Sequence, residues 1–114
     1  MEDCIFCKIA DGEMEAEILY SDEKVLAFRD INPKAPIHFL VIPKKHISTA
    51  LDLTAEDADI LLAIFAAIKK VAEDEGIAST GVRIVNNVGR AAGQVVFHLH
   101  FHVLGGRQLM WPPG

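Results

Sequence analysis

Val95-Val96-Phe97-His98-Leu99-His100-Phe101-His102-Val103-Leu104 is the stretch on which the reading of this chain turns. From Phe97 to Val103 apolar residues and histidines alternate strictly, the pattern of a β-strand. Successive side chains on a strand point to opposite faces. Phe97, Leu99, Phe101 and Val103 are therefore expected on a buried face, with His98, His100 and His102 on the other. Imidazoles spaced roughly 6–7 Å apart along a strand do less for a sheet than Val or Thr would. The plain explanation is a surface strand with an incidental polar face. Against it stands the chemistry of His, the side chain best suited to proton transfer, nucleophilic attack and metal ligation near neutral pH. His residues at i and i+2 can share a metal, but i and i+4 lie roughly 13 Å apart. At least one of the three must then do something other than bind a shared ion. The other chemical reading is a nucleophilic imidazole flanked by partners that handle charge and protons.

Working outward, the 114 residues are read as one domain, 1–114, with 51% hydrophobic and 24% charged residues, an ordinary soluble composition. No apolar run approaches the roughly 20 residues of a membrane span, so no membrane partner is expected. The acidic start Met1-Glu2-Asp3 has no signal-peptide core, and a cytoplasmic location is expected. A net charge of −5 makes long nucleic acid an unfavourable partner, while a small phosphorylated ligand remains compatible.

The rest of the sequence predicts an α+β fold with an antiparallel sheet and one long helix. Cys4 to Gly12 reads as a short helical turn stopped by its glycine. Glu17–Tyr20 and Val25–Arg29 read as a hairpin, His38–Ile42 as a buried central strand ended by Pro43, and Gly81–Asn87 as another strand. Thr54-Ala55-Glu56-Asp57 resembles a capping box with Asp in the fourth place, opening a helix that runs to about Glu75 before Gly76. Its middle, Ile60–Ile68, is apolar all the way round, whereas a helix lying on one sheet needs a single stripe. A fully enclosed core helix is one explanation. A subunit interface, most simply a two-fold dimer through helix 54–75, is the favoured one.

All five histidines fall at organised places. His38 opens a strand, His46 follows Lys44-Lys45, three form the triad, and the long helix has none. Cys4 and Cys7 form a Cys-x-x-Cys pair with too little chain upstream for a thioredoxin-like strand. They are either two unrelated buried cysteines or half of a closed tetrahedral zinc site completed by two histidines.

With the triad read as His-φ-His-φ-His-φ-φ, the chain resembles the histidine triad (HIT) superfamily. It is most similar to the histidine triad nucleotide-binding proteins, the purine nucleoside phosphoramidases. The resemblance rests on Leu26–Ile31, Ala35–Ile47, Gly93-Gln94, the triad, and Gly105-Gly106-Arg107 through Trp111-Pro112-Pro113-Gly114. That ending sets this branch apart from the dinucleoside polyphosphate hydrolases. The resemblance implies a dimeric HIT-like fold, with His100 attacking the α-phosphorus of a nucleoside 5′-phosphoramidate to form a covalent nucleotidyl-histidine. It further implies that His102 donates hydrogen bonds to the phosphoryl oxygens or leaving group and that His38 orients the triad. Asn87, Gly93, Gln94 and Val95 fall at phosphate-side positions, and Asp30 at the position that holds the ribose. Ile5, Phe6, Ile9, Phe28, Ile31 and Leu40 match an apolar base pocket, although each is also an ordinary core residue. Trp111 corresponds to a tail residue that approaches the partner subunit's site. Cys4, Cys7, His46 and His98 correspond to the ligands of a structural zinc, with no organic cofactor expected. Two positions depart from the pattern: Val95 stands where Ser or Thr is usual, and Arg29 flanks the base pocket where another residue is often found. The competing functions are a nucleotide-binding or scaffold protein of low turnover, a dinucleoside polyphosphate hydrolase, and a zinc hydrolase using the triad as ligands. The last lacks a carboxylate motif beside the triad to act as base.

Overall fold

A computed structural model describes residues 3–114. Its elements, in chain order, are α1 (Ile5–Ala10), β1 (Ile18–Ser21), β2 (Val25–Arg29), β3 (Ile37–Pro43), α2 (Ala58–Asp74), β4 (Val82–Val85) and β5 (Phe101–Gly105). The five strands form one antiparallel sheet in the order β1-β2-β3-β5-β4. The expected hairpin, central strand and α+β class are all present.

Alternation sorts the sheet into two faces. Val25, Ala27, Phe39, Val41, Phe101 and Val103 point toward α2 and meet Ile64, Ala67, Ile68 and Val71 in the main core. Burying each such large aliphatic or aromatic side chain stabilises the fold by about 1.5–3 kcal/mol. The alternate residues Leu26, Phe28, Leu40 and Ile42 form a smaller cluster on the opposite face, covered by Phe6 of α1. Leu40 pairs with His102, so the triad shares this second face with α1.

The capping-box reading holds. The Asp57 carboxylate accepts from the Thr54 backbone N–H at 3.0 Å and from Lys45 Nζ at 2.7 Å. The first turn, Ala55–Asp57, is a tighter 3₁₀ turn, and the α-helix proper begins at Ala58. Gly76, at φ +78°, takes the left-handed conformation that stops α2. An enclosed helix is excluded for the single chain, because Leu62 is 72% and Phe65 42% exposed.

The triad strand departs from expectation in one respect. Regular pairing starts at Phe101, not Phe97, and the chain bends at Val96–His98. Continuing the register Val41↔Phe101 would place Leu99 opposite Pro43, which has no N–H to give a ladder. The Leu99 N–H instead donates to the Ile47 carbonyl at 2.6 Å. Leu99 stays buried, but Phe97 turns out of the core and is 38% exposed.

Candidate active site

Each triad histidine has a different partner, and those partners fix which ring nitrogen carries the proton. His98 is fully buried, and its Nε2 sits 2.7 Å from the Pro43 carbonyl. An N–H at Nε2 satisfies that carbonyl and turns a bare Nδ1 toward the cysteines. Nδ1 lies 3.3 Å from Cys4 Sγ and 3.4 Å from Cys7 Sγ. His46 Nδ1 is 3.2 Å from Cys7 Sγ. The donor atoms of Cys4, Cys7, His46 and His98 all lie within 4.8 Å of one another, close enough to hold a metal ion. Two thiols and two imidazoles are the donor set of a closed tetrahedral site. The cysteines fall together because Cys4 caps α1, its Sγ accepting the Cys7 N–H at 3.2 Å.

His100 Nδ1 donates to the His98 carbonyl at 2.8 Å, which leaves Nε2 as the lone-pair nitrogen. Phe6 lies edge-on to the His100 ring, centroids 5.1 Å apart. Burial lowers the pKa of His100, so the ring is neutral near pH 7.

For His102 the proton is placed by relay. The Lys34 backbone N–H donates to His38 Nδ1 at 3.0 Å, so His38 carries its own hydrogen on Nε2. That nitrogen lies 3.0 Å from His102 Nδ1 and 3.4 Å from Asp30 Oδ2. His102 Nδ1 accepts, and Nε2–H becomes the free donor. Burial, then the neighbouring His100 and His38, pull the pKa of His102 down to about 4. Asp30, His38 and His102 also lie within metal-binding distance of one another. The Lys34 N–H opposes that use, because it occupies the nitrogen of His38 that would have to carry the proton. Asp30 is itself fixed through Oδ1, which accepts the Asn32 N–H at 2.8 Å.

His100 and His102 face a cavity of about 340 Å³. Of the expected residues, Ile5, Phe6, Ile9, Phe28, Asp30, Ile31, Leu40, Gly93 and Val95 line it with them. Four expected site residues stand elsewhere. His38 lies behind His102. Asn87 is half-buried and does not line the cavity. Trp111 is 80% exposed. Gln94 is buried with both amide hydrogens engaged, by the carbonyls of Ser48 (2.9 Å) and Val96 (3.1 Å), while its Oε1 accepts the Gly89 N–H. Its backbone N–H is bonded to Gly89 as well. Gln94 thus shapes the loop and has no hydrogen left for a phosphate. Arg29 is held by Glu17 and Glu75, each at 2.7 Å, and tethers the cavity rim to the end of α2.

Two contributors escaped sequence reasoning. Asn86 Nδ2 donates to the His100 carbonyl at 2.9 Å, pinning the backbone that carries this cavity-lining imidazole. The Lys34 amide sets the tautomer relay. The polar Asn86-Asn87 pair at the end of a strand was the only available hint of the first, and the second has no side-chain signal.

The HIT domain family matches residues 11–109, a span that contains the triad, the whole sheet and every cavity-lining residue except those of α1. The chain belongs to the HIT domain family. Fold and sequence agree with solved members. It is similar to a HIT family hydrolase from Legionella pneumophila Philadelphia 1, with 51% identity, a TM-score of 0.96, and 98% of this chain and 100% of that one covered. A histidine triad protein from Clostridium difficile is 47% identical, with 96% of each chain covered and a TM-score of 0.92. An uncharacterized HIT-like protein of Synechococcus elongatus is 50% identical over 99% of this chain and 98% of its own length. No helix among the described residues is long and apolar enough to cross a membrane.

Proposed function

We infer that this HIT-family chain is a hydrolase of purine nucleoside 5′-phosphoramidates, of the histidine triad nucleotide-binding branch. The observation that carries this reading is the opposite protonation of two adjacent imidazoles at one cavity. His100 offers a lone pair at Nε2, and His102 offers a proton at Nε2. Phosphoryl transfer to a nitrogen nucleophile with loss of an amine needs that pair of roles. His100 Nε2 attacks the α-phosphorus, the P–N bond breaks, and the amine nitrogen takes the His102 proton as it departs. Water then attacks the phosphorus, His102 takes its proton, and the His100–phosphorus bond breaks to release the nucleoside monophosphate. The apolar walls Phe6, Phe28 and Leu40 suit a purine ring, and Asp30 suits the ribose hydroxyls.

Zinc is the ion best suited to Cys4, Cys7, His46 and His98, since two thiolates and two imidazoles in tetrahedral reach match its preference. Bound there it would supply folding energy and no reaction step. A second copy of the chain is proposed to cover Leu62 and Phe65 of α2, with Trp111 reaching the partner's cavity. A nucleotide-binding protein of low turnover is the second reading. Val95 favours it, being 85% exposed at the cavity with no hydroxyl to offer.

The deciding experiment is AMP release from adenosine 5′-phosphoramidate by the wild-type chain and His100→Ala in parallel. Turnover that falls about 10³-fold or more in the variant supports the phosphoramidase. Tight AMP binding without turnover by folded wild type supports the binding protein.

A further inference from the structure

The nucleotide cavity has a neighbour. A more open cleft of about 570 Å³ lies beside it, and Ile5, Val95 and Val96 line both. A ligand held at His100 can therefore extend over these three side chains without leaving the protein. Beyond them the cleft is lined by Phe97, Asp3 and the outer side of the metal-ligand group at Cys4 and His46.

We propose that this cleft is the leaving-group subsite, taking amines with an apolar body and no negative charge, with Asp3 favouring a second cationic group. The proposal rests on the phosphoramidase reading above and specifies its substrate class. The shared wall of Ile5, Val95 and Val96 is aliphatic, and Val95 presents only methyl groups at 85% exposure. Exposed apolar side chains gathered at the mouth of a site gain when an alkyl or aryl body removes them from water. Phe97 turns out of the core into this cleft, and the Arg90 guanidinium lies 5.9 Å over its ring without lining the cleft. The lining carboxylate, Asp3, stands on an acidic molecule of net charge −5. A second nucleotide as leaving group would lay anionic phosphates along methyl groups and toward that carboxylate, which disfavours dinucleoside polyphosphates here. The chemistry is unchanged: the P–N bond breaks, the nitrogen takes the His102 proton, and the neutral amine leaves through the cleft.

The test compares kcat/KM for four adenosine 5′-phosphoramidates. One carries an unsubstituted amine, one phenethylamine, one its 4-aminomethyl derivative and one its 4-carboxy derivative. The wild type is expected to rank the arylalkyl substrates cationic, then neutral, then anionic. Phe97→Ala is expected to lower kcat/KM for the phenethyl substrate about fivefold, with the unsubstituted one unchanged. Asp3→Lys is expected to reverse the order of the two charged substrates, moving each roughly two- to fivefold, the scale of an exposed charge pair. The unsubstituted substrate also reports whether each variant is intact. Normal turnover of it with no dependence on the amine, or variant effects equal across all four, overturns the subsite alone. Failure of wild type to release AMP from any of them overturns the phosphoramidase reading and the subsite together.

Discussion

Asn86 does not line the cavity, yet it holds the backbone of His100, which does. Asn86→Ala leaves the His100 carbonyl without its 2.9 Å partner, at a cost of about 1–2 kcal/mol for a part-buried acceptor. Urea denaturation should show that loss, and kcat should fall more than KM rises, because orientation of His100 Nε2 is what is disturbed. Acidification should act through His102. Its folded pKa is about 4, against about 6.5 for an unfolded histidine. Between those values the unfolded chain binds more protons than the folded one, so stability is full above about pH 6.5 and declines as pH falls toward 4. The urea midpoint should drop across that window, and His102→Gln should flatten the slope. What was legible at this scale was side-chain chemistry at period two: His98, His100 and His102 share a face because alternation survives the bend. The tautomers were not legible, because the Lys34 amide and the Pro43 and His98 carbonyls that set them are backbone atoms brought close only by the fold. The internal bonds of the Gln94 amide to Ser48, Gly89 and Val96 were not legible either, since a sequence does not say which amide is satisfied internally.

At the scale of elements, α1 is the piece that cannot stand alone. Six residues fall short of the roughly 12–15 that an isolated helix needs, so its place depends on Phe6 packing and on the Cys4–Cys7 end. That same helix walls the cavity and sets Phe6 against His100 at 5.1 Å. Stripping metal with a chelator, or Cys7→Ser, should lower the melting temperature by roughly 5–10 °C and weaken AMP binding about tenfold. Thermal melts and equilibrium titration check both, and an unchanged melt would assign α1 to Phe6 alone. The hairpin, the central strand, the capping box and the glycine stop were all visible in the sequence because each is a local signal. The start of β5 was not. It is decided by Pro43, more than fifty residues away in sequence, standing where a ladder donor was required.

The molecule as a whole leaves apolar surface uncovered on one side. Leu62 and Phe65 project from α2, and Ile84, 40% exposed, lies on the edge strand β4. A two-fold copy would cover all three, and light scattering at micromolar concentration should return twice the chain mass for wild type. Leu62→Glu places a charge in that contact and should yield the monomer; a wild-type monomer would remove the interface from the account. The all-round apolarity of Ile60–Ile68 was legible, but its explanation needed the structure, which shows the second stripe facing outward. One further consequence follows from alternation along the triad strand. Leu99, Phe101 and Val103 anchor the main core while His98, on the reverse of the same backbone, joins the candidate metal-ligand cluster and His100 and His102 line the cavity. A deep mutational scan of 98–103 should therefore find no tolerant site, and selection for thermal resistance alone would alter activity with almost every hit there. In this short segment, robustness and catalysis cannot be tuned independently.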